Sequence, residues 1–344
     1  MLTLAPKREV TRKPGLDWRR VLLIGSAACA IFLLTGWATL AINFGGAGGR
    51  WRALLGIAFV VLTICAWCFS RRHTKPLRIM WSAAVISIFA WFVAIQPSHQ
   101  RPLKREVAVL PRIEVAGDRG KITGVRDFEY RSRDDFDVRY QERQIDLADL
   151  TGVDLFISYW DDELMAHTFL SFVFDNAPPI CVSIEARLED GERFSALPSL
   201  FKRFELIYVV GEERDIVRVR TNHRNEQVYR YPIKTSPEAA RRLFIVYAQK
   251  INQLAERPEF YHLLQNSCTA NIVRNARAAG QKTPVFEGRF ILNGLVDEYL
   301  YEAELVDTNI PFQDLRKRAR ITDISKSASL HDFSRAIRSP APSN

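Results

Sequence analysis

Gln265-Asn266-Ser267-Cys268-Thr269-Ala270-Asn271 is the stretch on which the reading of the fold turns. It is a polar turn that runs into an apolar-periodic helix, expected over Ile272 to Ala279 and closed by Gly280. It holds one of the five cysteines of the chain. A thiol in the first turn of a helix faces unpaired backbone N–H groups and the positive end of the helix dipole, and both favour the thiolate. To act as a nucleophile it needs a base within hydrogen-bond reach, a group that orients the base, and donors for an oxyanion. Ala166-His167-Thr168-Phe169-Leu170, about a hundred residues earlier, supplies a histidine.

Upstream of the cysteine helix the chain alternates strand-like runs with turn residues. Val107 to Val115 is a short strand-like run, Phe128 to Tyr140 reads as edge strands or an extended arm, and Val138 to Leu150 alternates weakly. From Val153 the signals strengthen: Val153–Trp160, Ala166–Phe174, Ile180–Leu188, Phe204–Val210, Ile216–Arg220 and Gln227–Ile233 all read as strands. The turn Asp175-Asn176-Ala177-Pro178-Pro179 separates two of them, and Glu212-Glu213-Arg214-Asp215 reads as a solvated turn with an ion pair. Ser236-Pro237-Glu238 then opens a helix, with an N-cap serine and proline at the first helical position, that ends near Glu256. After the cysteine helix, Phe290 to Leu305 is expected as a final helix. The domain is therefore α+β, with an antiparallel sheet first and two or three helices after it.

His167 opens its strand, so it sits at the strand's end. If the turn at 175–179 makes a simple hairpin centred near Ala177, residue 167 pairs with about residue 187. Glu185 then lies one diagonal step from His167 and is the candidate orienting group; a one-residue slip would put it on the other face. His262 ranks second as base because it lies in a turn between helices. A lone cysteine or histidine in a domain is most often a core residue, but Asn266, Ser267 and Thr269 give Cys268 a polar flank, and Asn266 and Thr269 are candidates for supporting the site. Tyr159 and Trp160 line a substrate groove or belong to the core. Asp161-Asp162-Glu163 is a solvated loop before it is a metal site, because no second ligand group has metal spacing; no metal or cofactor is expected.

The first third of the chain differs in kind. A basic tail, 1–20, carries Lys7, Arg8, Arg12, Lys13, Arg19 and Arg20. Three uncharged runs follow at 21–43, 53–70 and 79–96, each long enough to span a bilayer core as a helix. A cleaved signal peptide is the alternative for the first run, which is too long for it and is followed by two more. The tail and the loop with Arg71, Arg72, Lys75 and Arg78 outweigh the loop with Arg50 and Arg52, which places the N-terminus inside and the domain outside after three crossings. Segment 97–106 is then a polar linker, 107–330 the soluble domain, and 331–344 a disordered tail. Of the net charge of +9, the part near the spans flanks a membrane, and no nucleic-acid motif accompanies it, which excludes nucleic acid as partner. Three cysteines lie in the apolar runs, leaving Cys181 and Cys268: one possible bridge, no disulfide framework.

Several motifs in order resemble a known family. They are Ser158-Tyr159-Trp160, His167-Thr168-Phe169-Leu170-Ser171-Phe172, Ser183-Ile184-Glu185-Ala186-Arg187, Phe204-Glu205-Leu206-Ile207-Tyr208-Val209-Val210, Glu213-Arg214-Asp215, Arg218-Val219-Arg220-Thr221 and Asn266-Ser267-Cys268-Thr269. Together they are similar to the N-terminal periplasmic domain family of Lnb, a lipoprotein intramolecular transacylase, over roughly residues 105–330. The resemblance implies a papain-like cysteine fold in permuted order, histidine before cysteine, as in NlpC/P60-type enzymes. Carried over by motif, Cys268 is the nucleophile, His167 the base and Glu185 a third polar member. It also implies a bacterial inner-membrane, multi-pass protein with a periplasmic C-terminal domain that transfers or hydrolyses acyl groups of membrane lipids or lipoproteins. Peptidoglycan amidase chemistry and a non-catalytic envelope module are the alternatives, and the oligomeric state is left open. In this chain the spans precede the domain, whereas in the namesake the membrane part follows it.

Overall fold

The computed structural model describes residues 17–339 apart from 47, 50, 69–73, 161, 162, 285 and 286. The basic tail through residue 16, Arg50, the loop residues Arg71, Arg72 and His73, the acidic pair Asp161 and Asp162, and the tail from 340 lie outside the described residues. The chain divides into two compact units, Met1–Ile95 and Gln96–Asn344.

The first unit holds α1 (Trp18–Phe44), α2 (Trp51–Cys68) and α3 (Thr74–Ala94). Asp17 caps α1 by accepting from the Arg20 N–H. Among the described residues two helices, Trp18–Phe44 and Lys75–Ala94, are long and apolar enough to cross a membrane, not the three expected; the middle one, Trp51–Trp67, is apolar but shorter. The helices pack through small residues and a few polar contacts. A Cβ at Gly56 would press on the Asn43 amide, and Trp81 Nε1 donates to Thr63 Oγ1 at 2.9 Å.

In the second unit the strands are β1 (Arg112–Ala116), β2 (Arg119–Arg126), β3 (Glu129–Tyr130), β4 (Phe136–Asp137), β5 (Tyr140–Asp146), β6 (Leu150–Tyr159), β7 (Ala166–Phe174), β8 (Ile180–Arg187), β9 (Glu205–Gly211) and β10 (Gln227–Pro232). Among the described residues eight strands form one sheet, in the order β1-β2-β9-β8-β7-β6-β10 with β5 on β2, while β3 and β4 make a separate ribbon. The pairs are antiparallel except β2 with β9, which meet in parallel at Arg126 and Gly211. The helices are α4 (Ala196–Ser199), α5 (Glu213–Arg218), α6 (Pro237–Glu256), α7 (Cys268–Ala278), α8 (Val296–Glu302), α9 (Phe312–Ala319), α10 (Thr322–Ser327) and α11 (Phe333–Ala336).

Both faces of the sheet are buried, and side-chain alternation sorts the residues between them. Leu155, Ile157, Leu170, Phe172, Val182 and Ile184 share one core with Phe244 and Tyr247 of α6. Phe156, Phe169, Cys181, Ile207 and Val209 share the other with α5 and α11. This double burial is why β6 to β9 read as nearly continuous apolar runs. The α+β class with an antiparallel sheet is as expected. Ser236 caps α6 and Ser267 caps α7, each accepting an N–H from the first turn.

Five expectations change. Ile216–Arg220 is not a strand, because α5 covers Glu213–Arg218 and an irregular turn follows. The acidic run before it is not solvated: Glu213 and Asp215 are fully buried. Asp215 takes a bidentate contact from Arg126, with Nη2 to Oδ1 at 2.7 Å and Nε to Oδ2 at 3.0 Å, and carboxylates in a first helical turn suit the dipole. Phe290–Leu305 is not one helix. A Cβ at Gly294 would collide with the Glu163 backbone, and this close approach interrupts the run, leaving two tight turns and α8. The segment 97–106 is packed on the domain, where Arg101 pairs with Glu189 and Glu205 at 2.7 and 2.8 Å and His99 Nε2 lies 2.9 Å from the Leu254 carbonyl. The tail expected to be disordered from 331 forms α11 instead, burying Phe333 and Ile337, and Arg338 reaches Glu213 and Asp154 at 2.7 and 2.8 Å.

Candidate active site

Cys268 is the first residue of α7 and is buried. It lies against the edge of β7. The β7–β8 ladder runs from Phe172 and Ile180 only to Phe169 and Ser183, although β7 begins at Ala166 and β8 continues to Arg187. Past that point the Thr168 hydroxyl meets that of Thr269, the residue after the cysteine, at 2.9 Å. Burial would push the thiol up. The charge of His167 opposes this most, helped by the hydrogen bonds from His167 and from the backbone and hydroxyl of Thr168, and the thiol comes from an ordinary 9.0 down to about 6. Cys181 and Cys268 are both free thiols. Cys181, fully buried among apolar neighbours, is pushed well up by burial.

The hairpin register is two residues from the expected one: Phe169 faces Ser183, which carries 167 opposite 185. A shift of two preserves the face, so Glu185 is on the side of His167. It does not touch the ring directly. His167 Nε2 is 2.7 Å from Ser183 Oγ, Ser183 Oγ donates to Glu185 Oε1 at 2.6 Å, and Nε2 to Oε1 is 4.0 Å. Arg220 Nη2 donates to the same Oε1 at 2.8 Å. Burial would raise Glu185, but Arg220 foremost and His167 next hold it well below the usual carboxylate range. The Phe169 ring has the His167 ring 5.6 Å away and the Arg220 guanidinium 4.7 Å away, so one aromatic side chain spaces base and cation.

Of the two expected supporting residues, one is at the thiol. Thr269 Oγ1 lies 3.9 Å from Sγ and 2.9 Å from Thr168 Oγ1. Asn266 is a brace for the loop instead: its Nδ2 donates to the Phe260 carbonyl at 2.8 Å and its Oδ1 accepts from Asn271 and Arg274. The amide beside the thiol is Asn293, with Nδ2 3.8 Å from Sγ and 3.2 Å from Thr269 Oγ1, while its Oδ1 accepts the Ala166 N–H at 2.8 Å. His262, the second candidate base, accepts the Leu264 N–H on Nδ1 and is lowered by burial. Tyr159 is core, its hydroxyl donating to the Gly294 carbonyl at 2.7 Å, whereas Trp160 is exposed and meets Phe194 edge-on. Of the acidic cluster only Glu163 is described; among the described residues no group of three or more His, Cys, Asp or Glu is placed to hold a metal ion.

Sequence reasoning missed Asn293, Ser183 and Arg220 as site residues. Ser183 and Arg220 stood in the motifs without a role, because a strand's register sets which side chain intervenes between two others. Asn293-Gly294 is a turn dipeptide and marked a break inside the expected helix. Exposed large apolar side chains crowd the same segments: Trp160 and Leu164 before His167, Leu264 before Cys268, and Ile291 and Leu292 before Asn293.

The family model of the Lnb N-terminal periplasmic domain matches residues 136–295, a span that contains Cys268, His167, Ser183, Glu185, Arg220 and Asn293. No curated protein and no solved structure matches the chain.

Proposed function

We propose that this chain, whose residues 136–295 belong to the Lnb N-terminal periplasmic domain family, is a membrane-anchored thiol acyltransferase or hydrolase with Cys268 as nucleophile and His167 as base. What supports the reading is a buried thiol at a helix N-terminus, 3.8 Å from the Asn293 amide, which the charge of His167 draws down to about 6. The thiolate attacks an acyl carbonyl carbon. The C–S bond forms, the acyl C–O or C–N bond breaks, and His167 gives its proton to the leaving alcohol or amine. Water or an acceptor amine then attacks the thioester, His167 takes its proton, and the C–S bond breaks to return the thiolate. The backbone N–H groups at the start of α7 and Asn293 Nδ2 stabilise the tetrahedral oxyanion. Order of residues and their elements, a histidine on a strand before a cysteine on a helix, agrees with a permuted papain-like arrangement.

Acyl substrates in a lipid or lipoprotein suit the apolar side chains that border the site, Trp160, Leu264, Ile291 and Leu292 among them. The domain works in the periplasm, anchored in the inner membrane.

Purified full-length protein incubated with a diacylated lipopeptide tests the reading. A hydroxylamine-labile acyl adduct on Cys268, found by peptide mass, is expected, and none in Cys268→Ala. Acyl transfer that persists in Cys268→Ala would sink it.

A further inference from the structure

A cavity of about 130 Å³ lies behind the candidate site. Leu155 and Leu170 of the sheet, Ile272 of α7 and Leu300 of α8 make its apolar walls, and Thr168 and Thr269 also line it. These threonines adjoin the thiol: Thr269 Oγ1 is 3.9 Å from Sγ, and Thr168 bonds Thr269 through its hydroxyl. The two hydroxyls are 2.9 Å apart, so the side chains that flank the sulfur also line the cavity. The cavity follows α7. Thr269, Ile272, Val273 and Ala276 line it at positions i, i+3, i+4 and i+7, one stripe about 10 Å long. Gln281 and Lys282, just past the end of the helix, and Lys234 beside them extend the lining with polar and cationic groups.

The cavity is open at its polar end, and its inner walls are mainly leucine, isoleucine and valine. An apolar cavity of comparable volume takes up a six-carbon hydrocarbon such as benzene. We infer that this cavity is the acyl-chain pocket of the enzyme: the hydrocarbon of an acyl group carried on Cys268 turns past Thr269 and lies along the Ile272–Ala276 stripe. The inference rests on the acyl-transfer reading of the thiol and adds to it a place and a length for the chain. About the first six carbons lie in the cavity, and a longer chain runs out past Lys234 and Lys282.

The test is a chain-length series of p-nitrophenyl esters, acetyl to dodecanoyl, turned over by the full chain in lipid nanodiscs. The expected kcat/KM rises roughly fourfold per methylene, the factor for one buried CH2, and levels off near six to eight carbons. Ala276→Phe fills the stripe. It flattens the rise, read as the ratio of each ester's kcat/KM to that of the acetyl ester in the same variant. Where Ala276→Phe does not fold, as read by its melting temperature, Ala276→Leu replaces it and shortens the plateau by two or three carbons. A flat profile in the wild type, or the same rise in a folded Ala276 variant, overturns the pocket. Acetyl turnover that survives Cys268→Ala refutes instead the thiol reading beneath it, so the two failures are told apart.

Discussion

His167→Ala removes the charge that holds the Cys268 thiol low, and the consequence is calculable. Burial by itself pushes this thiol up from 9.0, and His167 is the leading cause of its descent to about 6. Without the imidazole the thiol returns to 9 or above. At pH 7 the thiolate fraction then drops from about 0.9 to about 0.01, roughly a ninety-fold loss. The alkylation rate does not fall by as much, because a more basic thiolate is a better nucleophile. With a Brønsted slope of about 0.4–0.5, three units return a factor of roughly 15–30, so the net loss at pH 7 is only about three- to sixfold. The informative quantity is the midpoint of the pH profile. The assay is iodoacetamide alkylation of the full chain from pH 4.5 to 10, with the Cys268 peptide followed by mass spectrometry. In the wild type the rate rises through a midpoint near 6 and is flat above pH 7. In His167→Ala the midpoint moves above 9. Cys181 is an internal control, since its burial keeps it a slowly reacting thiol throughout. A wild-type midpoint near 9, or one that His167→Ala leaves in place, would refute the pairing of thiol and imidazole and with it the proposed nucleophile.

Three further outcomes are expected. Ser183→Ala and Glu185→Gln each slow turnover by the roughly 10–100-fold typical of an outer-shell partner, less than the loss of the base itself, and the double variant is no slower than the worse single one because the two act in series; multiplying defects in steady-state kinetics would mean separate roles. Asn293→Ala lowers kcat by about 10²–10³ as a lost oxyanion donor while the Cys268 alkylation midpoint stays near 6; a shifted midpoint would assign Asn293 to the thiolate instead. Asp215→Ala leaves the Arg126 guanidinium buried without its bidentate partner, at a cost of about 3–5 kcal/mol, and lowers the melting temperature of the domain by roughly 6–20 °C; an unchanged melt would show that the pair contributes nothing net.

The extent to which the site was legible follows from the range of the interactions that make it. The cap Ser236, the helix it starts and the strand Ala166–Phe174 depend on neighbours a few residues away, and each stands where its residues place it, while the cysteine helix starts at Cys268, capped by Ser267, four residues before the expected Ile272. Cys268 and His167 were legible for the same reason: a helix start and a strand end are local properties, and each gives its side chain a recognisable setting. The acidic run before α5 misled because its solvation depends on Arg126 and Arg338, which lie 89 and 125 residues away from Asp215 and Glu213 along the chain. The same holds for the tail, whose polar composition conceals that Phe333 and Ile337 complete a core on the far face of the sheet.

What the sequence by itself determined is the division into an apolar first third and an α+β domain, together with a cysteine at a helix start and a histidine at a strand end. Hydrophobic period, caps and turn residues encode these, because secondary structure responds to local burial and backbone hydrogen bonding. Only the tertiary structure decided that Ser183 stands between His167 and Glu185, that Asn293 rather than Asn266 brings an amide to the sulfur, and that the thiol sits where β7 and β8 part. Those three depend on strand register and on which distant loop closes over a helix start. A two-residue shift in the hairpin leaves every face in place yet changes which side chain meets the ring, and no local pattern records that choice.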